Sequence, residues 1–182
     1  MNTLASHCLP YFRKMETFDK GSDNYRGGEG PQYIETCPAT NPLDQCFITA
    51  GKEAGYSYTD DQNGRQQEGF HIAQKFTHKG RRWSASDGYL KPILYRANFE
   101  LATRALVQRV VFNGKRAIGV EVNLNGVVER IEADREVILC GGAINSPQIL
   151  LLSGIGDAQH LANYDLKTVV HLPSVGQLEA AK

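Results

Sequence analysis

The residues best suited to chemistry lie at 141–156, where paired glycines precede a Ser-Pro pair, a run of aliphatic side chains and a Ser-Gly-x-Gly ending. Gly141 and Gly142 allow a turn in which the backbone approaches a flat ligand closely, because glycine has no Cβ. Ser146 and Pro147 then predict the start of a helix, with serine as the N-cap and proline at the first helical position. A helix N-terminus beside such a turn favours negative charge. The pattern therefore predicts a site for a phosphate-bearing cofactor.

Two elements must position this turn, a strand before it and a helix after it. The apolar run at 137–140 predicts the strand, in which Cys140 is expected to be a small buried side chain. The helix is predicted over 147–153, and Gly154 and Gly156 are expected to end it. An ordinary connection between a strand and a helix in any α/β domain would explain the same capping residues without a cofactor.

Two Asn-Gly pairs upstream predict an antiparallel meander that leads into the 137–140 strand. The pairs lie at 113–114 and 125–126, and they separate runs rich in β-branched residues at 101–112, 117–124 and 127–133. The meander therefore places the turn at the end of a β-rich half of the chain.

The first hundred residues predict helices separated by long irregular segments. One helix is expected at 4–18, with Pro10 near its start. A second is expected at 42–54 behind the cap Asn41, and a third at 84–94. Glycine and proline dominate 20–42, which is expected to be loop with short extended pieces such as 32–36. The polar segment 56–77 is also expected to be irregular, with a turn at 63–64.

The stretch 142–156 resembles, position by position, the second signature of the glucose–methanol–choline (GMC) family of flavin oxidoreductases. The likeness rests on a small-residue pair, Ser-Pro, paired aliphatics and then Ser-Gly-aliphatic-Gly. Other segments resemble the same family, namely 8–16, a Gly-Pro turn at 28–31, a Gly-x-Arg-x-Ser run from 80 to 90, and the hairpin at 99–121. Within the family, 9–17 and 27–31 are similar to the branch that oxidises choline in bacteria.

The resemblance implies a mixed α/β fold, with residues 1–100 mostly in substrate-domain and connecting segments and 101–182 in part of an FAD-binding domain. It implies FAD as the cofactor. Val107 matches the family position whose backbone contacts the adenine, and the other implied contacts are Gly141, Gly142, Ala143, Ser146 and Pro147. The implied substrate is a small alcohol, choline or a similar compound, that gives up a hydride to the flavin.

Two parts that members of this family carry are not found in these 182 residues. No predicted strand is followed by Gly-x-Gly-x-x-Gly, the loop that binds a pyrophosphate. The second part is the segment that carries the catalytic histidine in this family. At 175–177 the sequence resembles the start of a family segment, but it departs from that pattern at 178–182. We therefore expect a truncated chain, for which no catalytic residue is assigned. Two classes stay open, part of an FAD-dependent alcohol oxidoreductase and a non-catalytic remnant that binds no cofactor.

Other candidate groups have simpler interpretations. The five histidines follow no pattern for proton abstraction, so each is expected to be a surface or hydrogen-bonded side chain. The neighbouring Asp60 and Asp61 could be paired carboxylates for acid–base work, but a solvated turn is the favoured interpretation. Arg81 and Arg82 could bind phosphate, whereas a segment that leads into a helix and packs Trp83 is again favoured.

Composition excludes several classes of function. Lysine plus arginine equals aspartate plus glutamate at 20 each, so no basic surface for nucleic acid is expected. The longest apolar run, 149–152, is far too short for a membrane helix, and no signal peptide is expected in the first residues. The four cysteines form no Cys-x-x-Cys pair, so no structural metal is expected and a cytoplasmic location is favoured. Peripheral membrane association of a complete enzyme and the oligomeric state stay open.

Overall fold

The computed structural model describes residues 3–177, and the chain forms two compact units, Met1–Glu100 and Leu101–Lys182. Both units contain helices and strands, which confirms the mixed fold. Assignment of the units to a substrate domain and an FAD-binding domain stays a prediction. Residues 1–2 and 178–182 lie outside the described residues, and with them the predicted departure from the family pattern at 178–182.

The first unit begins with α1 (Thr3–Met15), which leads directly into β1 (Glu16–Phe18). β1 pairs in parallel with β2 (Gln32–Thr36), and β2 pairs antiparallel with β3 (Gln74–Lys75). A second small ribbon joins β4 (Thr77–His78) to β5 (Arg81–Arg82). The extended piece at 32–36 is thus confirmed, whereas β3, β4 and β5 were not predicted because two-residue strands carry almost no periodicity.

The helix at 42–54 is confirmed as α2 (Pro42–Glu53), and the Asn41 side chain accepts a hydrogen bond from the Leu43 N–H at 3.0 Å. Pro10 does not mark a helix start. It lies inside α1, where helix-favouring residues on both sides outweigh the backbone hydrogen bond that proline cannot donate.

The prediction of a regular α-helix at 84–94 is wrong. The segment forms one π-helical turn, Ser86–Leu90, followed by a 3₁₀ turn, Lys91–Ile93. Two local features disfavour a regular α-helix. Pro92 cannot donate a backbone hydrogen bond, and Gly88 is pressed so closely on the Pro31 carbonyl that a Cβ would lie 2.7 Å from its oxygen.

A buried arginine holds the first unit together. Arg26 is 1% exposed, and its Nε lies 2.9 Å from the Glu16 carboxylate on β1. Its Nη1 donates to Asp61 at 2.8 Å and to Gln74 on β3 at 2.9 Å. The guanidinium carbon lies 3.9 Å from the centre of the Phe18 ring. One cation therefore ties two strands to the loop at 61, while its Nη2 finds no partner among residues 3–177.

This arrangement corrects the interpretation of Asp60 and Asp61 as a solvated turn. Asp61 is half-buried and accepts from Arg26, because a buried guanidinium requires anionic partners. The turn at 63–64 is nevertheless confirmed, since Asp61 accepts hydrogen bonds from the N–H groups of Asn63 and Gly64.

The second unit is built on the predicted meander. β6 (Ala105–Asn113), β7 (Arg116–Leu124) and β8 (Val127–Glu132) pair antiparallel in that order, with Val122 1% exposed at the centre. Then follow α3 (Gly142–Leu152), β9 (Ile155–Gly156) and the short helix α4 (Ala158–Ala162). β10 (Val170–His171) pairs in parallel with β9. The meander is confirmed, with its turns at 114–115, one residue after the start of the first Asn-Gly pair, and at 125–126, the second pair itself.

The Arg26 network generates a stability test. We expect Arg26→Met to lower the free energy of unfolding of the first unit by about 3–5 kcal/mol, because it leaves two carboxylates partly buried without their cation. The denaturation midpoint can be followed by the fluorescence of Trp83, the one tryptophan of the sequence. Arg65→Met is the matched control, since Arg65 is exposed, and it is expected to change stability by under about 0.5 kcal/mol. Equal midpoints for the two variants would contradict this account.

Candidate functional site

The predicted turn leads into α3, but the helix begins earlier than expected. Gly141 is the N-cap, and Ser146 and Pro147 lie inside the helix. The N-cap role predicted for Ser146 is therefore wrong. Its hydroxyl instead reaches back from within the helix and accepts the N–H of Gly141 at 3.0 Å. The glycine pair permits this early start, because Gly142 has a φ of +82°.

The turn is open on the side of Gly142. Apart from its chain neighbours and the adjacent backbone of α3, a Cβ built on this residue would meet no atom of the described chain within 4 Å. Gly141, Gly142 and Ala143 are exposed, whereas Ser146 and Pro147 are half-buried. The first turn of an α-helix carries N–H groups without intrahelical acceptors. The geometry therefore leaves both space and backbone donors where an anionic ligand could bind.

The strand predicted at 137–140 is wrong for this chain. These residues form no strand pair within residues 3–177, Ile138 is 73% exposed, and Cys140 is exposed rather than buried. A strand is defined by ladder hydrogen bonds to a neighbour. Residues 3–177 provide no partner for this segment.

Val107 lies on β6, half-buried and opposite Val122 of β7. The register shifts immediately after it, between Val107 and Arg109, so that a β-bulge re-aims the strand at this point. Beyond the bulge, Arg109 Nη2 donates to Glu121 at 2.8 Å. This hydrogen bond holds the pKa of Glu121 below its ordinary value.

A buried serine joins the two elements that carry the predicted site. Ser153 follows α3 directly and is 7% exposed. Its hydroxyl accepts the N–H of Val110 on β6 at 2.8 Å and donates to the Ile149 carbonyl of α3. Sequence reasoning treated Ser153 only as the end of the helix. The Ser-Gly-x-Gly spacing was the available signal, but it does not reveal which strand the hydroxyl meets.

The glycine after this serine has two structural requirements. Gly154 has a φ of +83°, and a Cβ there would lie 2.3 Å from the Lys167 carbonyl oxygen. Its role in ending α3 is confirmed. Gly156, by contrast, lies on β9 and does not take part in the helix end.

The remaining candidates are mostly structural. His78 stacks on Tyr33 at 3.7 Å, and His171 Nδ1 accepts the N–H of Ala158. His71 departs from the expectation, because its Nδ1 is buried and unpartnered within the described residues. Trp83 packs as expected, with its indole N–H donated to the Pro31 carbonyl at 2.8 Å.

Within the part of the chain that the structure describes, no group of three or more His, Cys, Asp or Glu side chains could hold a metal ion. Over the same residues, none of the helices combines the length and the hydropathy that a membrane crossing requires.

Comparison with known proteins shows the family. The profile described as GMC oxidoreductase matches residues 3–178, so the chain belongs to the GMC oxidoreductase family. It is 50% identical over 174 residues to the oxygen-dependent choline dehydrogenase of Staphylococcus xylosus and 48% identical over 172 residues to the mitochondrial choline dehydrogenase of Mus musculus. Each alignment covers 94% of this chain but only 31% and 29% of those proteins. The chain thus spans about a third of the length of these relatives.

Solved structures agree with this assignment. Pyridoxine 4-oxidase from Mesorbium loti superposes with a TM-score of 0.87 at 29% identity, covering 93% of this chain and 33% of that one. An FAD-dependent oxidoreductase from Chaetomium thermophilum superposes with a TM-score of 0.85 at 27% identity, covering 94% and 32%. FAD is the cofactor that membership of this family implies.

The packing of Gly154 generates a second test. We expect Gly154→Ala to lower the free energy of unfolding by about 2–3 kcal/mol, because the new Cβ adds a backbone clash to the strain of a positive φ. Gly114→Ala is the control, since Gly114 has a φ of +59° and open space around its Cβ position, and it is expected to cost about 1 kcal/mol. Thermal unfolding followed by far-UV circular dichroism compares them. Equal losses would show that Lys167 does not press on Gly154.

Proposed function

We propose that this chain supplies one wall of the FAD site in an oxidoreductase that oxidises the CH–OH group of a small alcohol, choline or a close analogue. The observation that carries the proposal is near-50% identity to choline dehydrogenases across 94% of the chain, in a family whose second signature coincides with the open turn at 141–143. The named relatives support choline, and the FAD-dependent oxidoreductase from Chaetomium thermophilum supports flavin chemistry.

The residues at the turn fit such a cofactor. Open space beside Gly142 admits a flat or phosphate-bearing group, and a side chain at this position would occupy that space. The amides of Gly142 and Ala143 lie in the first turn of α3, where an anion is favoured. Ser146 has a supporting role, because its hydroxyl already accepts the Gly141 N–H and so fixes the turn.

The second part of the proposed wall is β6. Val107 pairs with Val122 and directly precedes the bulge, at which Gln108 has no register partner on β7, and we assign Val107 the adenine side of the cofactor. Pro147 carries no backbone N–H, so its contribution is the shape of the helix surface.

When bound, FAD supplies the hydride acceptor of the reaction. The residues of this chain would bind and orient it, and none of them is assigned the proton transfer. The 182 residues by themselves, mixed with FAD and choline, are therefore expected to show no choline-dependent reduction of a dye.

A segment exchange tests the proposal. The matching 174 residues of the Staphylococcus xylosus enzyme are replaced by the aligned residues of this chain, which are 50% identical. We expect the chimera to purify with bound FAD and to oxidise choline, because this chain would provide an equivalent cofactor wall. A chimera that is folded by circular dichroism but lacks flavin would favour the alternative, a remnant that binds no cofactor.

The same chimera tests the turn itself. We expect Gly142→Val to lower the flavin content at least several-fold, since valine would fill the space beside the backbone. Gly126→Val is a matched control, because Gly126 also has a positive φ, +93°, and open surroundings, but lies in the β7–β8 turn. Backbone strain is thus similar in both variants. Full flavin stoichiometry in Gly142→Val, measured by absorbance, would show that this turn does not contact FAD.

A further inference from the structure

We infer that Ser153 is the positioning residue of the FAD site, because its buried hydroxyl sets the spacing between the turn on α3 and Val107 on β6. The inference rests on the proposed function and assigns a role that the cofactor-contacting residues do not fill. Ser153 lies at the far end of α3 from the turn, so it acts through the two elements and does not touch the ligand.

The backbone N–H of Val110 points away from the other strands of its sheet, toward Ser153. β6 lies at one edge of its sheet, with β7 on the other side. The Val110 N–H is directed to Ser153, and Val110 is only 5% exposed. A buried N–H without a partner is costly, so this edge position requires an acceptor. Ser153 supplies it.

The Ser153 hydroxyl also acts as a hydrogen-bond donor. Ser153 donates its proton to the Ile149 carbonyl one turn earlier in α3, which leaves its lone pairs directed to β6. Rotation of the hydroxyl is therefore constrained at both ends. Gly154 then reverses the backbone, and its carbonyl accepts the N–H of Val169 at 2.7 Å. This hydrogen bond fixes the backbone directly after Ser153.

Both predicted cofactor contacts lie within a short distance of the Ser153–Val110 hydrogen bond, along β6 and along α3. Val107 is three residues from Val110 along β6, about 10 Å at the rise of a strand. Gly142 is eleven residues from Ser153 along α3, about 16 Å at the rise of a helix. A small displacement at the Ser153–Val110 hydrogen bond is therefore transmitted through β6 to Val107 and through α3 to Gly142, the two predicted contacts of FAD.

Loss of the hydroxyl is therefore expected to loosen both contacts together. Ser153→Ala leaves the Val110 N–H buried and unpaired, and the displacement of β6 relative to α3 that relieves this misaligns the cofactor wall. We expect about a tenfold weaker FAD affinity, the size expected for an unpaired buried donor. Ser153→Thr keeps the hydroxyl and is expected to bind FAD within about threefold of the unchanged sequence.

Two measurements test the inference. In the 182-residue chain, hydrogen exchange of the Val110 amide is expected to become faster in Ser153→Ala and to stay slow in Ser174→Ala, whose serine is exposed. In the chimera, FAD affinity is obtained by titrating the apoprotein and following flavin fluorescence. The visible circular dichroism of the bound flavin reports its orientation, which a merely stabilising residue would leave unchanged.

The outcomes separate this inference from the proposed function. An unmodified chimera that binds no FAD counts against the proposed function and against the inference that rests on it. A flavin-containing chimera in which Ser153→Ala and Ser174→Ala bind FAD equally, with identical visible spectra, overturns the inference alone. It is also overturned if Ser153→Thr is as defective as Ser153→Ala, or if the Val110 amide exchanges at the same rate in every variant.

Discussion

A backbone amide on a strand edge cannot be buried without a hydrogen-bond partner, and in this chain that constraint falls on Val110. Ser153 satisfies it, and the surrounding residues are arranged accordingly. Gly154 must be glycine because the chain turns back against Lys167 immediately after the serine. β9 and β10 then pair beside it. The Ser-Gly-x-Gly ending of the family signature is thus a joint between a helix and a strand.

In the first unit the buried group that requires partners is a charged one, the guanidinium of Arg26. Arg26 is buried, so its guanidinium must be paired, and Glu16, Asp61 and Gln74 provide oxygen acceptors from three separate segments. Such a cluster specifies one arrangement of short strands that have few ladder bonds of their own. It also explains why β1, β2 and β3 can form a sheet although each has only two to five residues.

Large apolar side chains stay exposed on either side of the turn at 141–143. The segment at 137–140 has the composition of a buried strand, but Ile138 is exposed, as is Ile144 in the first turn of α3. These side chains lie on both sides of the proposed cofactor turn. In relatives about three times as long, additional residues are available to cover such surfaces. The exposed apolar groups are therefore consistent with a cofactor wall that is one part of a larger site.

Local patterns in the sequence determined the elements whose causes are local. The Asn-Gly pairs predicted the meander, Asn41 and Pro42 predicted the start of α2, and the glycine pair predicted the turn at 141–142, because turn geometry and capping depend on adjacent residues. The 142–156 pattern was also enough to indicate the family that the comparisons confirm. Only the tertiary structure decided the partners of Arg26 and the bonds that Ser146 and Ser153 accept from Gly141 and Val110. It alone also showed that 137–140 has no strand partner among residues 3–177. Each of these depends on which distant backbone or charge a side chain meets, and that information is not contained in residue spacing along the chain.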